Sequence, residues 1–141
     1  MLYRNKKEND INEGKYLGVG GKFMPGETAE ECVCREVREE TGLILTDFEF
    51  RGMVYFVSDR WDNEDMYLFT ATGFTLPDGS IPADDYTPEC NEGTLHWIPI
   101  DQVEQLPLWD GDRYFLRELA AGKTDINMTC EYVGDTLTKV Y

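Results

Sequence analysis

The sequence predicts an α/β (α+β) fold in which a central mixed β-sheet lies between helices. Segments rich in aromatic and β-branched residues alternate with a few helical segments, which is typical of this class. No repeat, low-complexity tract or Pro- or Ser-rich linker divides the chain. With 141 residues, 41% of them hydrophobic, the chain has room for one sizeable core. We therefore expect a single domain over residues 1–141.

The strongest helical signal runs from Thr28 to Thr41. Thr28 and Glu31 form a T-x-x-E capping box, and the interior of the segment contains no Gly or Pro. Gly42 follows as a C-terminal stop, because glycine readily adopts the left-handed conformation that ends many helices. These signals predict a helix with defined ends.

The other elements are predicted from residue type and from turn signals. Strands are expected over residues 48–57, 66–74, 94–98, 126–133 and 136–140, the last two as a hairpin. Two shorter helices are expected over residues 101–105 and 112–121, because Pro107 and Gly122 follow them as stops. The polar stretch over residues 77–93 is long enough to be a functional loop.

The composition excludes several classes of partner. Twenty-eight acidic residues against thirteen basic ones give a net charge of −15, the wrong sign for binding duplex nucleic acid. Phosphate chemistry on such a protein would need metal cations to invert the local field. The sequence has no membrane span and no secretory signal, and its four cysteines form no C-x-x-C pair. We therefore expect a cytoplasmic protein with reduced thiols and no membrane partner.

The predicted long helix carries an unusual acidic face. Placed at about 100° per residue, Glu36, Glu39 and Glu40 continue the apolar stripe that begins at Cys32 and Val33. Ordinary solvated glutamates would instead lie opposite that stripe. Three carboxylates at these spacings repel one another unless a counter-charge lies between them. An all-oxygen set favours Mg²⁺, or alternatively Mn²⁺, over zinc.

A glycine-rich turn, Gly18-Val19-Gly20-Gly21-Lys22, comes shortly before this helix and permits a tight bend or a close approach. Turn and helix together read Gly21-x5-Glu27-x7-Arg35-Glu36-Val37-x-Glu39-Glu40-x-Gly42-Leu43. This motif resembles the complete Nudix box of the Nudix hydrolases, and every fixed position matches. The resemblance implies the Nudix fold and hydrolysis of a nucleoside diphosphate that is linked to another group.

The resemblance also implies roles for residues of the box. The metal ligands would be the Gly20 carbonyl and the carboxylates of Glu36, Glu39 and Glu40. Arg35 and Glu27 would pair and hold the loop and the helix in register, which is a structural role. The three metal carboxylates would act in catalysis together with a further acid from a later loop. Glu92 matches that position, with Glu89, Asp84 and Asp85 as alternatives.

The chain is further similar to the subgroup that hydrolyses oxidised purine nucleoside triphosphates, such as the 8-oxo-dGTP diphosphatases. The similarity rests on the G-V-G-G-K turn, on L-W-D-G-D-R-Y-F at residues 108–115 and on G-D-T-L at residues 134–137. It implies that Trp109 stacks on the base and that Asp112 contacts the purine edge, with Lys6 and Lys22 as further substrate-binding residues. Alternatively, Trp109 is a core anchor and Asp112 is only a helix N-cap.

Two positions depart from the family pattern. Leu17 stands where the subgroup commonly has an Asn that contacts the base. The family normally has a complete strand and turn before the segment that matches residues 2–7, and this chain starts inside that segment. We therefore expect an incomplete amino-terminal strand, and either another chain fills the gap or an unpaired edge there could support a homodimer.

The predicted function is Mg²⁺-dependent hydrolysis of nucleoside triphosphates to monophosphate and pyrophosphate. A purine substrate such as 8-oxo-dGTP would make the protein a cytoplasmic enzyme of nucleotide pool sanitation. The alternatives are an ADP-ribose, ADP-sugar or dinucleotide pyrophosphatase and a non-catalytic nucleotide-sensing domain.

Overall fold

The computed structural model describes residues 1–141, which form two compact units. The first unit comprises Met1–Phe48 and Ala71–Pro107, and the second comprises Glu49–Thr70 and Leu108–Tyr141. In chain order the elements are β1 (Leu2–Tyr3), β2 (Tyr16–Leu17), α1 (Ala29–Thr41), β3 (Ile44–Ser58), β4 (Glu64–Thr75), β5 (Thr94–Leu95), a 3₁₀ helix (Ile100–Gln105), α2 (Asp110–Ala120), β6 (Ile126–Val133) and β7 (Thr136–Val140). The single domain expected from the sequence stays a prediction.

In the first unit, helix α1 forms as its sequence signals predict. The Thr28 side chain accepts a hydrogen bond from the backbone N–H of Glu31, and the Glu31 side chain accepts one from the backbone N–H of Thr28. At the other end, Gly42 adopts a φ of 75° and donates its N–H to the Arg38 carbonyl at 2.8 Å. Both ends of the helix that carries the box are therefore fixed by local interactions.

The first unit also contains a small antiparallel sheet in the order β2-β1-β5. Strand β1 has a partner on each side, so neither of its own edges is unpaired. The incomplete amino-terminal strand and the homodimer stay predictions. The strand expected over residues 94–98 is shortened to β5, which pairs Thr94 with Tyr3 and Leu95 with Leu2, and Met1 and His96 exchange two further backbone hydrogen bonds. The adjoining residue, Gly93, approaches the Tyr3 carbonyl so closely that a Cβ would collide with it.

The second unit is organised around a mixed sheet. Strand order is β4-β3-β6-β7, with β3 and β6 parallel and β6 and β7 antiparallel. Gly52, at a φ of 136°, allows β3 to approach β6, because a Cβ there would collide with the Ile126 carbonyl. The core consists of Val54, Leu68, Phe115, Ile126, Cys130 and Tyr132. Helix α2 packs against β6 and β7.

Some boundaries differ from the expectation. The β6–β7 hairpin has the expected bounds, whereas β3 begins at Ile44, earlier than expected. Helix α2 begins at Asp110, with Trp109 as its N-cap and no side-chain cap hydrogen bond. Asp112 lies inside the first turn, so its interpretation as the N-cap is wrong. None of the helices is both long and apolar enough to cross a membrane.

Candidate active site

Two of the predicted metal ligands lie directly against the glycine-rich turn. The Glu40 side chain, on the last turn of α1, is buried and accepts a hydrogen bond from the Gly20 N–H at 3.1 Å. The Glu36 carboxylate fills the space next to Gly21, where a Cβ would lie 2.5 Å from the Glu36 Cδ. Only glycine fits at this position without moving the carboxylate.

Arg35 joins the turn to the helix. Its Nε and Nη2 atoms donate to the two carboxylate oxygens of Glu27 at 2.7 and 2.9 Å, a bidentate pair. Nη2 also donates to the Lys22 carbonyl at 3.1 Å. The hydrogen bonds from Arg35 to Glu27, together with one from the backbone N–H of Met24, lower the pKa of Glu27 to about 2, so this carboxylate is ionised at neutral pH.

The same guanidinium contacts two further acids of the box. Arg35 Nη1 lies 2.8 Å from Glu36 Oε1 and 3.1 Å from Glu39 Oε2. Arg35 and Glu39 are four residues apart and lie on the same face of the helix, whereas Glu36 is the next residue, about 100° around it. The Glu39 side chain remains 58% exposed, whereas that of Glu36 is 14% exposed. Arg35 thus supplies the positive charge next to these two carboxylates.

The loop before β5 brings a fourth carboxyl group to the helix. The side chains of Glu92 and Glu40 are hydrogen-bonded to each other. Burial raises the pKa of Glu40 well above its ordinary value, and contact with Glu92 raises it further. A hydrogen bond from Lys7 lowers the pKa of Glu92. Two carboxyl groups in this contact require a shared proton or a nearby cation.

The other acids of this loop face solvent. Glu89 has a fully exposed side chain and pairs with Lys6 at 3.4 Å, and Asp84 and Asp85 are exposed. Of the four acids that the sequence offered, Glu92 is the one in contact with Glu40.

Sequence reasoning missed two residues that hold this loop in place. The Tyr86 hydroxyl donates to the Thr41 carbonyl at the end of α1 at 2.7 Å, and Lys7 pairs with Glu92 at 3.0 Å. Both contacts join residues far apart in the sequence. The one available signal was the Lys6-Lys7 pair, which stands out in a chain with a net charge of −15.

The chemistry of these donors fits a hard divalent cation. All are carboxylate or backbone oxygens, and the absence of a side chain at Gly21 lets the Glu36 carboxylate lie directly against the turn. Within residues 1–141, however, no three His, Cys, Asp or Glu side chains are grouped as metal ligands. Arg35 pairs with the Glu36 and Glu39 carboxylates here. The ligand set therefore stays a prediction.

The residues predicted to bind the base lie at the start of α2 in the second unit. Asp112 is 9% exposed, and burial raises its pKa to about 7, against the opposing effect of Arg113. Near neutral pH its carboxyl group can therefore donate a hydrogen bond as well as accept one. Trp109 is half-buried, packs against the core, and meets the Tyr132 ring edge-on at 5.6 Å. This packing agrees with the core-anchor interpretation and leaves part of the indole exposed.

The two predicted lysines have different surroundings. Lys6 Nζ donates to the Cys90 carbonyl at 2.8 Å, whereas Lys22, the last residue of the glycine-rich turn, is exposed. Their roles in substrate binding stay predictions.

Comparison with known proteins agrees with this geometry. The sequence matches the NUDIX domain family over residues 2–119. It is 29% identical over 125 residues to the uncharacterized Nudix hydrolase YvcI of Bacillus subtilis, covering 84% of this chain and 73% of that protein. The crystal structure of a MutT protein from Bacillus halodurans superposes with a TM-score of 0.75 at 26% identity, covering 89% of this chain and 80% of the other. This likeness confirms the expected fold.

Two further relatives have named activities. The chain is 30% identical to the oxidized purine nucleoside triphosphate hydrolase of Danio rerio, covering 75% of this chain and 63% of that protein. It is 40% identical to the NAD-capped RNA hydrolase NudC of Vibrio cholerae, covering 64% of this chain and 36% of that protein. The chain thus spans less than two thirds of either relative. With the family match, the fold and the complete box in agreement, the chain belongs to the Nudix hydrolase family and is a phosphohydrolase.

Proposed function

We propose that this protein hydrolyses purine nucleoside triphosphates, including oxidised forms such as 8-oxo-dGTP, to the monophosphate and pyrophosphate. Nudix hydrolases generally use a divalent metal, and Mg²⁺ is the proposed ion here, with Mn²⁺ as a substitute. The observation that carries the proposal is the buried Glu40 carboxyl group, which contacts both the glycine turn and Glu92. The free cysteines fit the proposed cytoplasmic setting.

In this proposal the acidic face of α1 holds the cation. Glu36, Glu39 and Glu40 are the carboxylate ligands, with the Gly20 carbonyl beside them. When bound, the cation would neutralise phosphate charge and lower the pKa of a coordinated water toward neutrality. Glu92, which its contact with Lys7 keeps ionised, accepts the proton of the attacking water.

The remaining predicted residues serve the substrate. Lys6 and Lys22 offer ammonium groups to the phosphates, and the exposed part of Trp109 offers an aromatic face to the base. Stacking of this kind contributes about 1–3 kcal/mol per base. The Asp112 carboxyl group, half protonated near its pKa of about 7, pairs with the purine edge as donor or acceptor.

A product assay across a panel of substrates tests the proposal. Purified protein with Mg²⁺ would be given dGTP, 8-oxo-dGTP, pyrimidine triphosphates and ADP-ribose, and the products separated by ion-exchange chromatography. The proposal predicts a monophosphate and pyrophosphate from the purine triphosphates, with the highest kcat/KM for one of them. Release of neither pyrophosphate nor phosphate from any nucleotide would contradict it.

The second candidate is a pyrophosphatase acting on dinucleotides or ADP-sugars. The 40% identity to the NudC protein favours it, although the chain covers only 36% of that relative. Its products are two monophosphates without free pyrophosphate, so the same assay separates the two functions. A non-catalytic nucleotide-sensing domain is disfavoured, because all three glutamates of the metal-binding face are present.

A further inference from the structure

The segment that follows β1 directs three basic side chains at the loop that carries Glu92. Lys6 Nζ donates to the Cys90 carbonyl at 2.8 Å. Lys7 Nζ donates to Glu92 Oε1 at 3.0 Å, and Arg4 Nη1 lies 3.8 Å from Glu92 Oε2. In a chain with only thirteen basic residues, this is a concentrated positive charge beside the predicted active site.

The segment is held in place independently of Lys7. Arg4 Nε pairs with Asp10 Oδ2 at 2.8 Å, and the two side chains are only 14% and 7% exposed. The backbone N–H of Arg4 donates to the Lys15 carbonyl, and the Arg4 carbonyl accepts from the Gly14 N–H. Loss of the Lys7 ammonium would therefore leave the backbone of this segment in position.

Lys7 pairs with Glu92, whose side chain has room to turn away from Glu40. Glu92 is in contact with the buried Glu40, and a pair of carboxyl groups in contact is stabilised by a positive charge beside it. The Glu92 side chain is 32% exposed, so solvent offers it an alternative position. The Lys7 ammonium group, 3.0 Å from Glu92 Oε1, opposes that movement.

We propose that Lys7 is a positioning residue whose ammonium group holds Glu92 against Glu40 and supplies the counter-charge of this carboxyl pair in the absence of a divalent cation. The effect of Lys7 on turnover rests on the proposed function. The effect of Lys7 on the stability of the metal-free protein does not depend on that function.

Thermal unfolding of the full chain in excess chelator tests the metal-free part. Lys7→Met should lower the midpoint by about 2–4 °C, and the same substitution in a Glu92→Gln background should have no effect. Lys7→Arg should restore the midpoint, because it keeps a positive charge at this position. Additive effects of Lys7→Met and Glu92→Gln would overturn the proposal.

The Lys123–Glu118 pair of the second unit provides a matched control. Its atoms are 2.8 Å apart and its side chains 55% and 32% exposed, against 51% and 32% for Lys7 and Glu92. No second carboxyl group is hydrogen-bonded to Glu118 in the way that Glu40 is to Glu92. Lys123→Met should therefore cause a smaller shift, and saturating Mg²⁺ should reduce the Lys7→Met shift but not this one. Equal shifts for the two variants, with and without Mg²⁺, would overturn the proposal.

Kinetics then separate positioning from phosphate binding. Lys7→Met should lower kcat roughly tenfold with little change in KM, and it should add nothing to the loss caused by Glu92→Gln. A raised KM with unchanged kcat would mean that Lys7 binds the substrate, and the proposal would be wrong. If the wild-type chain hydrolysed no nucleotide, the proposed function would fail while the unfolding experiment still decided the role of Lys7.

Discussion

Two buried carboxyl groups, Glu40 in the first unit and Asp112 in the second, have raised pKa values in different surroundings. Glu40 meets a second carboxyl group and a backbone N–H, with Lys7 and Arg4 pairing its neighbour Glu92. Asp112 lies near Cys130 and Tyr132, whose own pKa values burial also raises. Burial raises the pKa of both groups, to about 8 for Glu40 and to about 7 for Asp112, but only Glu40 is in contact with a second carboxyl group that basic side chains pair with.

The difference indicates what each carboxyl group can do. A pair of acids surrounded by positive charges is suited to a divalent cation, which would replace a shared proton. A solitary buried acid is suited to hydrogen bonding with a neutral partner such as a base edge. The same physical cause, burial, thus prepares two different kinds of chemistry.

The largest effect is expected for Glu40 and Glu39 on the acidic face of α1. Glu40→Gln should reduce turnover at least about 100-fold while the fold is retained, because it removes a charge and a predicted metal ligand at nearly constant volume. Glu39→Gln should act in the same direction. Steady-state kinetics measure both effects, and Glu30→Gln, in an exposed position of the same helix, should leave the rate unchanged. Full activity in both Glu39 and Glu40 variants would contradict the metal assignment.

The next effect concerns the pH dependence of stability that Asp112 causes. The folded-state pKa of Asp112, about 7, lies above its ordinary value of 3.8. The unfolded chain therefore releases this proton first, and the contribution of Asp112 to stability falls as the pH rises from about 4 to about 7. Asp112→Asn should remove this dependence, which amounts to a few kcal/mol between these limits.

Urea unfolding at pH 5 and pH 8 measures the change. Asp110→Asn is the matched control, because Asp110 is exposed and pairs with Arg113 at 3.0 Å on the surface of the same helix. If the Asp112 and Asp110 variants showed the same pH dependence, Asp112 would not be the buried neutral acid described here.

A smaller effect is expected at Trp109, which packs against Tyr132 close to Asp112. Trp109→Ala should lower the free energy of unfolding by about 2–3 kcal/mol, less than for a fully buried tryptophan. If the ring also stacks on the base, the KM for purine triphosphates should rise more than that for pyrimidine ones. Trp109→Phe should recover part of both effects. A loss of stability without a selective rise in KM would leave Trp109 as a core anchor only.

The smallest effect is expected at Tyr86, which connects the loop of Glu92 to α1. Tyr86→Phe removes the hydrogen bond to the Thr41 carbonyl and should cost about 1 kcal/mol of stability. Tyr141→Phe is the control, since the hydroxyl of Tyr141 makes a solvent-exposed hydrogen bond to Glu131 at 3.0 Å. Denaturant unfolding of the two variants compares them, and an equal loss would mean that the loop is held by other contacts.

Features fixed by local interactions could be predicted from the sequence. Helix α1 follows from the capping box at Thr28 and the left-handed Gly42, and the β6–β7 hairpin has the bounds expected from residue type. The close packing of Glu36 and Glu40 against the glycine turn agrees with the spacing of the box.

Features that depend on distant parts of the chain could not be predicted. Strands β1, β2 and β5 have two residues each, too few to show a periodicity, and their partners decide their length. The start of α2 carries no side-chain cap, so no local signal marks Asp110. The Lys7–Glu92 pair bridges 85 positions, and its formation depends on the folded small sheet.

The central claim is that the acidic face of α1 and the glycine turn together bind a divalent cation. Crystals soaked in Mn²⁺ and measured near its absorption edge test this directly. The account predicts an anomalous peak about 2.0–2.4 Å from an oxygen of Glu40, close to Gly20 and Glu36, which is absent in crystals of Glu40→Gln. No peak in this region of the wild-type protein, at an ion concentration that supports turnover, would contradict it.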